Sequence, residues 1–434
     1  MEQLVPVVVS RYLARFEKHF TQPSFRYFCG YLLAVLLTSG RTTTTRIAQT
    51  CFFVDHHLAS WERFLAEHRW DPSALVGTLL ELLQRQAGDA LQVHGAYLAV
   101  VDTCVIAKNG TRMQGVQAWR EHSGNADRGA QVRGQQWGVL GLLGFDEAWE
   151  RVRCFPLLMR LIPGQLNPFQ FIVNAAGEAQ RATFWDGVLP LVWHLQTHLQ
   201  APLRVVADAY FAKAPFVQPL VDRGIHVITR LRKDAVGWDD PESRNKARRR
   251  DKWKLARLLE AVPVQQVPVQ LYGEAVTVLA VCREVWLRAV QQKVKVVVLA
   301  GDPKPILLLS TDVHLTMAQI IEIYAARFPI ELAIRALKTH LGLADYQCYL
   351  PTAIHRFVHL RCVAYCLFRL MQLTEDLAAW LPPRQRGQTP FSFTRLRKGL
   401  QRFVIGRILS PKFSEIPKAA DCETELDAIL RIAA

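Results

Sequence analysis

The chain has 434 residues, 50% hydrophobic and 21% charged, with 53 Lys+Arg against 38 Asp+Glu and a formal charge of +15. Such a length suggests roughly two to four domains with a real core, and the composition excludes a disordered or low-complexity protein. The positive excess points to a polyanionic partner, most simply nucleic acid, ahead of a membrane surface. The apolar run "YFCGYLLAVLL" is too short to span a bilayer, and residues 1–20 carry Glu, Arg and Lys throughout, which argues against a signal peptide.

Residues 1–90 repeat apolar side chains at helical spacing. Within them, "RTTTTRIAQTCFFVDHHLASWERFLAEHRW" predicts a threonine-capped helix running through Gln49, a tight apolar turn, and a second helix capped by Asp55. The second helix would expose His56, His57, Ser60 and Arg63. This is either a helix-turn-helix that reads DNA or a plain helical hairpin.

The pattern changes at Tyr97. "YLAVVDTCVIAK" reads as a strand interrupted by Asp102, and "QQWGVLGLLG" and "VRCFPLLMRLIP" as two more strands, antiparallel to each other. A helix is expected over about 178–199. "PLRVVADAYFAKAPFVQPLVDRGIHVITRLRK" then has the order strand, loop, helix, strand of a parallel βαβ unit. Residues 95–233 form the first part of an α/β core on this reading. Residues 234–304 begin with a charged stretch that includes Arg248 and Arg249, then alternate like several short strands, a β-rich insertion. Residues 305–375 return to a buried strand, "PILLLSTD", and to helix from Met317 to about Gln347. Residues 376–434 are read as basic and helical. No acidic residue lies between Asp376 and Glu415, whereas Arg395, Arg397 and Lys398 do, and an uncompensated run of one sign favours contact with a polyanion. The nine cysteines are scattered without a CxxC pair. Cys362 and Cys366 have no convincing partner ligands, so free, mostly buried thiols in a reducing cytoplasm are expected.

Asp102 and Asp208 each interrupt or end an apolar strand, "LAVVD" and "RVVAD". Ionised carboxylates rarely stand so near a core without compensation, and ligands of open α/β sheets bind beyond the carboxyl ends of strands. Two such aspartates on neighbouring strands would repel unless a cation lay between them, and an oxygen-rich site with open positions suits Mg²⁺ or Mn²⁺. The plainer alternative is that one aspartate caps a helix or pairs with an arginine. A third carboxylate lies in "YAARFPIELAIRALK", where Tyr324, Arg327, Glu331 and Lys338 stand at spacings of 3, 4 and 7. On one continuous helix they would fall within about 60° of arc. Arg327 and Lys338 suit phosphate contact, and Tyr324 can hydrogen-bond a phosphate or orient Glu331. Pro329 forces a kink or a restart; if the helix restarts there, Glu331 lies in its first turn.

These residues together resemble the DDE transposases of bacterial insertion sequences. The chain looks most like the group marked by Tyr-(2)-Arg-(3)-Glu-(6)-Lys, matched here by Tyr324, Arg327, Glu331 and Lys338. "VVDTCVIAKNG" and "VVADAYFAK" resemble the blocks around the first and second catalytic aspartates, here Asp102 and Asp208. The resemblance implies a ribonuclease-H-like α/β core: a mixed sheet flanked by helices, interrupted by the β-strand insertion, with helical N- and C-terminal regions. It implies that Asp102, Asp208 and Glu331 hold Mg²⁺ or Mn²⁺. Strands would be cut at the element's terminal inverted repeats and the 3′-OH joined to target DNA. It also implies a homodimer on DNA, in the bacterial cytoplasm and nucleoid, without membrane attachment. Hairpin-forming relatives carry an aromatic residue just before the "LLL"-type strand; here the place reads Lys304-Pro305-Ile306. Two rival readings keep the fold: a structure-specific DNA nuclease, and a non-catalytic DNA-binding protein derived from a transposase.

Overall fold

The computed structural model of the chain describes residues 7–51, 57–120, 131–146, 151–163, 171–173, 179–239, 253–287, 290–301, 304–374, 381 and 392–413. Asp55, His56, Arg248 and Arg249, singled out from the sequence, lie outside these residues. The helices are α1 (Val7–Ala14), α2 (Gln22–Leu37), α3 (Thr44–Thr50), α4 (Leu58–Ala66), α5 (Leu75–Ala87), α6 (Leu189–Thr197), α7 (Ala214–Val221), α8 (Met317–Ala325), α9 (Pro329–His340), α10 (Pro351–Thr374) and α11 (Phe393–Phe413), with a single turn at Leu258–Ala261. Two compact units result. One comprises Met1–Gln86, Arg112–Gln114 and Arg335–Ala434, the other Ala87–Thr111 and Gly115–Ile334.

The first unit is helical. Its centre is α2, whose apolar sequence is buried on nearly every side, packed against α10 and α11. Three buried arginines tie its helix ends. Arg356 donates to Leu65 O at the end of α4 and to Trp70 O in the loop after it, and Arg397 donates to Leu36 O near the end of α2 and to His340 O at the end of α9. Arg361, fully buried, donates to Tyr31 Oη at 2.9 Å and to Thr42 O at 2.7 Å. The last carbonyls of a helix lack partners within it, so a guanidinium placed there satisfies them and meets the negative end of the dipole. The expected threonine cap is present: Thr43 accepts from Arg46 N before α3. In α4, preceded by His57, Arg63 is exposed and Ser60 half-buried. Asp345 accepts from Thr42 N at 2.6 Å and fixes the loop before α3.

The second unit is built on a mixed sheet. Its strands are β1 (Gln92–Val93), β2 (Ala96–Ala107), β3 (Gln117–Arg120), β4 (Gln131–Asp146), β5 (Arg151–Leu161), β6 (Phe171–Val173), β7 (Ala179–Arg181), β8 (Leu203–Ala207), β9 (His226–Leu231), β10 (Val236–Gly237), β11 (Trp253–Lys254), β12 (Gln265–Leu271), β13 (Glu274–Trp286), β14 (Lys293–Leu299) and β15 (Ile306–Ser310). Eleven of them form one sheet in the order β12-β13-β14-β15-β9-β8-β2-β4-β3, with β1 pairing β2 and β5 pairing β4. The pairs β2–β8 and β8–β9 are parallel, joined through α6 and α7, and the rest are antiparallel. This mixed α/β architecture is compatible with the expected ribonuclease-H-like core.

Particular residues fix the layout. β2 is covered on both faces over "AYLAVV", so it reads as a continuous apolar run rather than an alternation. Gly141 stands at the bulge between β4 and β5, where a Cβ would meet Cys154 Sγ at 2.4 Å. The insertion's strands β12, β13 and β14 continue the core sheet through β15. The expected helix over 178–199 is shorter, beginning only at Leu189. β7 and a 3₁₀ turn at Phe184–Gly187 precede it; Thr183 and Asp186 form a capping box on that turn, and Pro190 sits in the first turn of α6. Among the described residues the eight cysteines form no disulfide, and six of them are buried. Among the described residues, no helix is long and apolar enough to cross a membrane.

Candidate active site

β2 and β8 run parallel with Val101 opposite Ala207, and β8 and β9 run parallel with Ala207 opposite Thr229. The next row therefore holds Asp102, Asp208 and Arg230 side by side. Residues in one row of parallel strands share a face, on strands about 4.8 Å apart. Burial also changes at this row. Asp102 is the first residue of β2 that is not fully buried, and Arg230 is an exposed residue within otherwise buried β9. The continuous burial of β2 is interrupted at Asp102, inside the strand, while Asp208 follows the last residue of β8.

Asp208 ends its strand in extended conformation and caps the 3₁₀ turn Ala209–Phe211, accepting from Tyr210 N at 2.9 Å. Asp102 accepts from Thr103 N through Oδ1 at 2.7 Å and from Arg327 Nη1 through Oδ2 at 3.3 Å. The plain uses of a lone aspartate, a cap and an arginine pair, are thus both present, in carboxylates that also stand together.

Glu331 arrives from the helical side. A capping box of Thr316 and Gln319 starts α8. After Ala325 the chain makes three-residue turns: Arg327 N donates to Tyr324 O and Glu331 N to Phe328 O. Pro329, which has no amide proton, begins α9, so Glu331 lies in the first turn, as the restart reading expects. Because the helix breaks between them, Tyr324 and Glu331 do not share one continuous helical face. Arg327 lies in the break. Its Nη2 donates to Glu331 Oε1 at 2.6 Å while Nη1 reaches Asp102, so one guanidinium bridges two carboxylates.

The electrostatics follow from this crowding. Burial pushes the Asp102 carboxyl up to about 6; the Thr103 amide and Arg327 pull the other way, and Asp208 and Glu331 add to the rise. Burial works against the charge on Arg327, but Glu331 and Asp102 outweigh it and hold the guanidinium above its ordinary range. Burial raises the Tyr324 phenol, opposed by Arg327 and Arg230 and helped by Asp208. Tyr324, Arg327, Asp102, Asp208 and Glu331 therefore form one interacting cluster, and Arg230 joins it. Arg230 was not singled out from the sequence; the signal was available in the register, since "HVITR" parallels "RVVAD" one strand away.

A family model described as DDE superfamily endonuclease matches residues 15–281. The chain belongs to this superfamily. The matched segment contains Asp102 and Asp208 and ends before α8 and α9, so Glu331 stands on its geometry alone. No curated protein matches the chain.

Enzymes of the DDE endonuclease superfamily use divalent metals. The donors here fit such an ion in kind, since all are carboxylate oxygens, two of them from neighbouring parallel strands. A cation already stands among them, since Arg327 bonds both Asp102 and Glu331. Among the described residues, no three ligating side chains converge on one point.

The remaining predicted contacts of this DDE endonuclease have varied settings. Lys338 is half-buried on α9, two turns after Glu331. Lys398 is exposed and Arg395 half-buried on α11. Arg397 is 8% exposed and bonded to main-chain carbonyls, so as placed it is a structural residue and its guanidinium is not presented to DNA.

Proposed function

We propose that this DDE endonuclease is an insertion-sequence transposase of the Tyr-Arg-Glu-Lys group. It binds the element's terminal inverted repeats as a homodimer on DNA, cleaves at the ends and joins the 3′-OH to target DNA. The observation that carries this reading is that Asp102 and Asp208 lie on neighbouring parallel strands, with Asp102 joined to Glu331 through one arginine. Asp102, Asp208 and Glu331 would hold Mg²⁺ or Mn²⁺. When bound, such ions activate the attacking oxygen and neutralise charge on the leaving one. The chain's own part is positioning. The interior of β2 and the end of β8 fix two carboxylates, and the first turn of α9 sets the third beside the positive end of its dipole. Tyr324, Arg327 and Lys338 orient phosphates, Arg as a fork and Lys as a point charge. The basic stretches with Arg248, Arg249, Arg395 and Lys398, and the region of α3 and α4, hold the flanking DNA.

The test is cleavage of a labelled duplex carrying the inverted repeats that flank the gene, with Mg²⁺ or with chelator. Glu331→Gln, Asp102→Asn and Asp208→Asn each remove a charge and nearly keep the shape. Each should bind the duplex as the wild type does and lose cleavage by at least about 10³-fold, and a double substitution should cost little more than a single one. Cleavage by Glu331→Gln at close to the wild-type rate would remove the third carboxylate from the mechanism.

A further inference from the structure

The arginine of the signature is bound to carboxylates rather than facing outward for a phosphate. Nη1 lies 3.3 Å from Asp102 Oδ2 and Nη2 lies 2.6 Å from Glu331 Oε1, with the arginine side chain only 16% exposed. Among the described residues, neither carboxylate makes another ion pair. Two interactions of this kind lock a planar fork, which is costly to leave unsatisfied when half-buried. Arg327 sits in the short break between α8 and α9, where its backbone is held by turn hydrogen bonds.

We infer that Arg327 is the resident counter-ion of the carboxylate cluster: it holds the place of a divalent cation in the DNA-free protein and exchanges the carboxylates for a DNA phosphate when that cation binds. The inference rests on the reading of Asp102, Asp208 and Glu331 as metal ligands. A guanidinium and a divalent cation cannot share two carboxylates at these distances without strong repulsion. Entry of the cation frees the arginine, whose natural next partner is a phosphate. Conversely, a phosphate that takes Arg327 leaves Asp102 and Glu331 unpaired and ready for the cation. Metal and DNA should each tighten the other by the same factor, because coupling of binding free energies is reciprocal.

Calorimetric titration with Mn²⁺, with and without a duplex ending in the terminal repeat, tests this. Without DNA, Arg327→Gln should bind Mn²⁺ about tenfold more tightly than the wild type, within the usual range of such couplings. The duplex should tighten Mn²⁺ binding by the wild type by a similar factor and leave that of Arg327→Gln nearly unchanged. Arg327→Lys, which keeps the charge but reaches only one carboxylate, should fall between the two and carries the test if the glutamine variant does not fold. Asp102→Asn locates the ion. If it abolishes Mn²⁺ binding while Arg327→Gln fails to tighten it, the exchange is wrong and the metal site stands. If Asp102→Asn leaves Mn²⁺ binding unaltered, the ion is elsewhere and the proposed function falls together with the exchange.

Discussion

Arg397 in the helical unit and Arg327 in the sheet unit have the same charge and similar concealment. Arg397 is 8% exposed and spends its guanidinium on the terminal carbonyls of two helices. Arg327 is 16% exposed and spends its own on two carboxylates. Carbonyls at helix ends are fixed dipoles with no alternative partner in a dry interior, so the first arginine is committed to the fold. Carboxylates are full charges whose counter-ion a stronger cation can replace, so the second is committed only until a competitor arrives. Burial drives the Arg397 group down to about 10, whereas the carboxylates hold Arg327 above its ordinary value. The partner, rather than burial, separates an arginine that maintains structure from one that can act.

The comparison is broken most directly by removing Arg397. Arg397→Ala leaves Leu36 O and His340 O without a donor in the interior and opens a cavity. The expected loss is about 2–4 kcal/mol of unfolding free energy, read by urea denaturation. A loss below about 1 kcal/mol would mean that water replaces the guanidinium and that Arg397 is less structural than its contacts suggest.

A smaller effect of opposite sign is expected at Arg327's partner. Asp102 is held at about 6 in the folded chain, above its ordinary 3.8, even with Arg327 beside it. A raised folded value means that the stability gained from protonation is fully present below about pH 4 and is lost as pH rises through about 6. At pH 7.5 the ionised carboxylate is therefore a liability in the metal-free protein. Asp102→Asn should raise metal-free stability there by about 1–3 kcal/mol, with the gain disappearing below about pH 4. Equal thermal unfolding of the two proteins across this range would show that Arg327 already offsets the burial of Asp102. The substitution expected to abolish cleavage would thus stabilise the fold, a common relation at sites built for function.

Much of the site could be read locally. The apolar runs of β2 and β8 each stop at an aspartate, and Pro329 announces a restart that puts Glu331 in a first turn. The cap at Thr43 follows from the threonine run. What could not be read depends on partners distant in the chain. Nothing near Arg327 indicates that it will meet Asp102, 225 residues earlier. Alternation predicts strands after residue 262, but only the pairing of β14 with β15 and of β15 with β9 makes them part of the core sheet. The late start of α6 was legible in principle, since Thr183, Asp186 and Pro190 are ordinary start signals. Counting charges puts Arg397 in the basic run, whereas the structure buries it against main-chain carbonyls. The buried Phe393, Leu396, Leu400 and Val404 recur at helical spacing, and position 397 falls on their stripe.

The finest version of the comparison lies between Arg397 and its neighbour Lys398. One residue along α11 turns the side chain by about 100°, out of the stripe and into solvent. Lys398 is exposed. Lys398→Ala should therefore change unfolding free energy by no more than about 0.5 kcal/mol, the usual range for surface substitutions. If Lys398 contacts a phosphate, the same change should lower the slope of log affinity against log salt by about 1, with little dependence on DNA sequence. The measurement is binding to the element end and to an unrelated duplex, each over a series of salt concentrations. An unchanged slope on both would remove Lys398 from the DNA interface. A lower slope on both, with Arg397→Ala losing stability instead, would divide the basic run into a structural face and a DNA-facing one. The run's charge would then be an overestimate of its phosphate contacts, because some of its cations are used inside the fold.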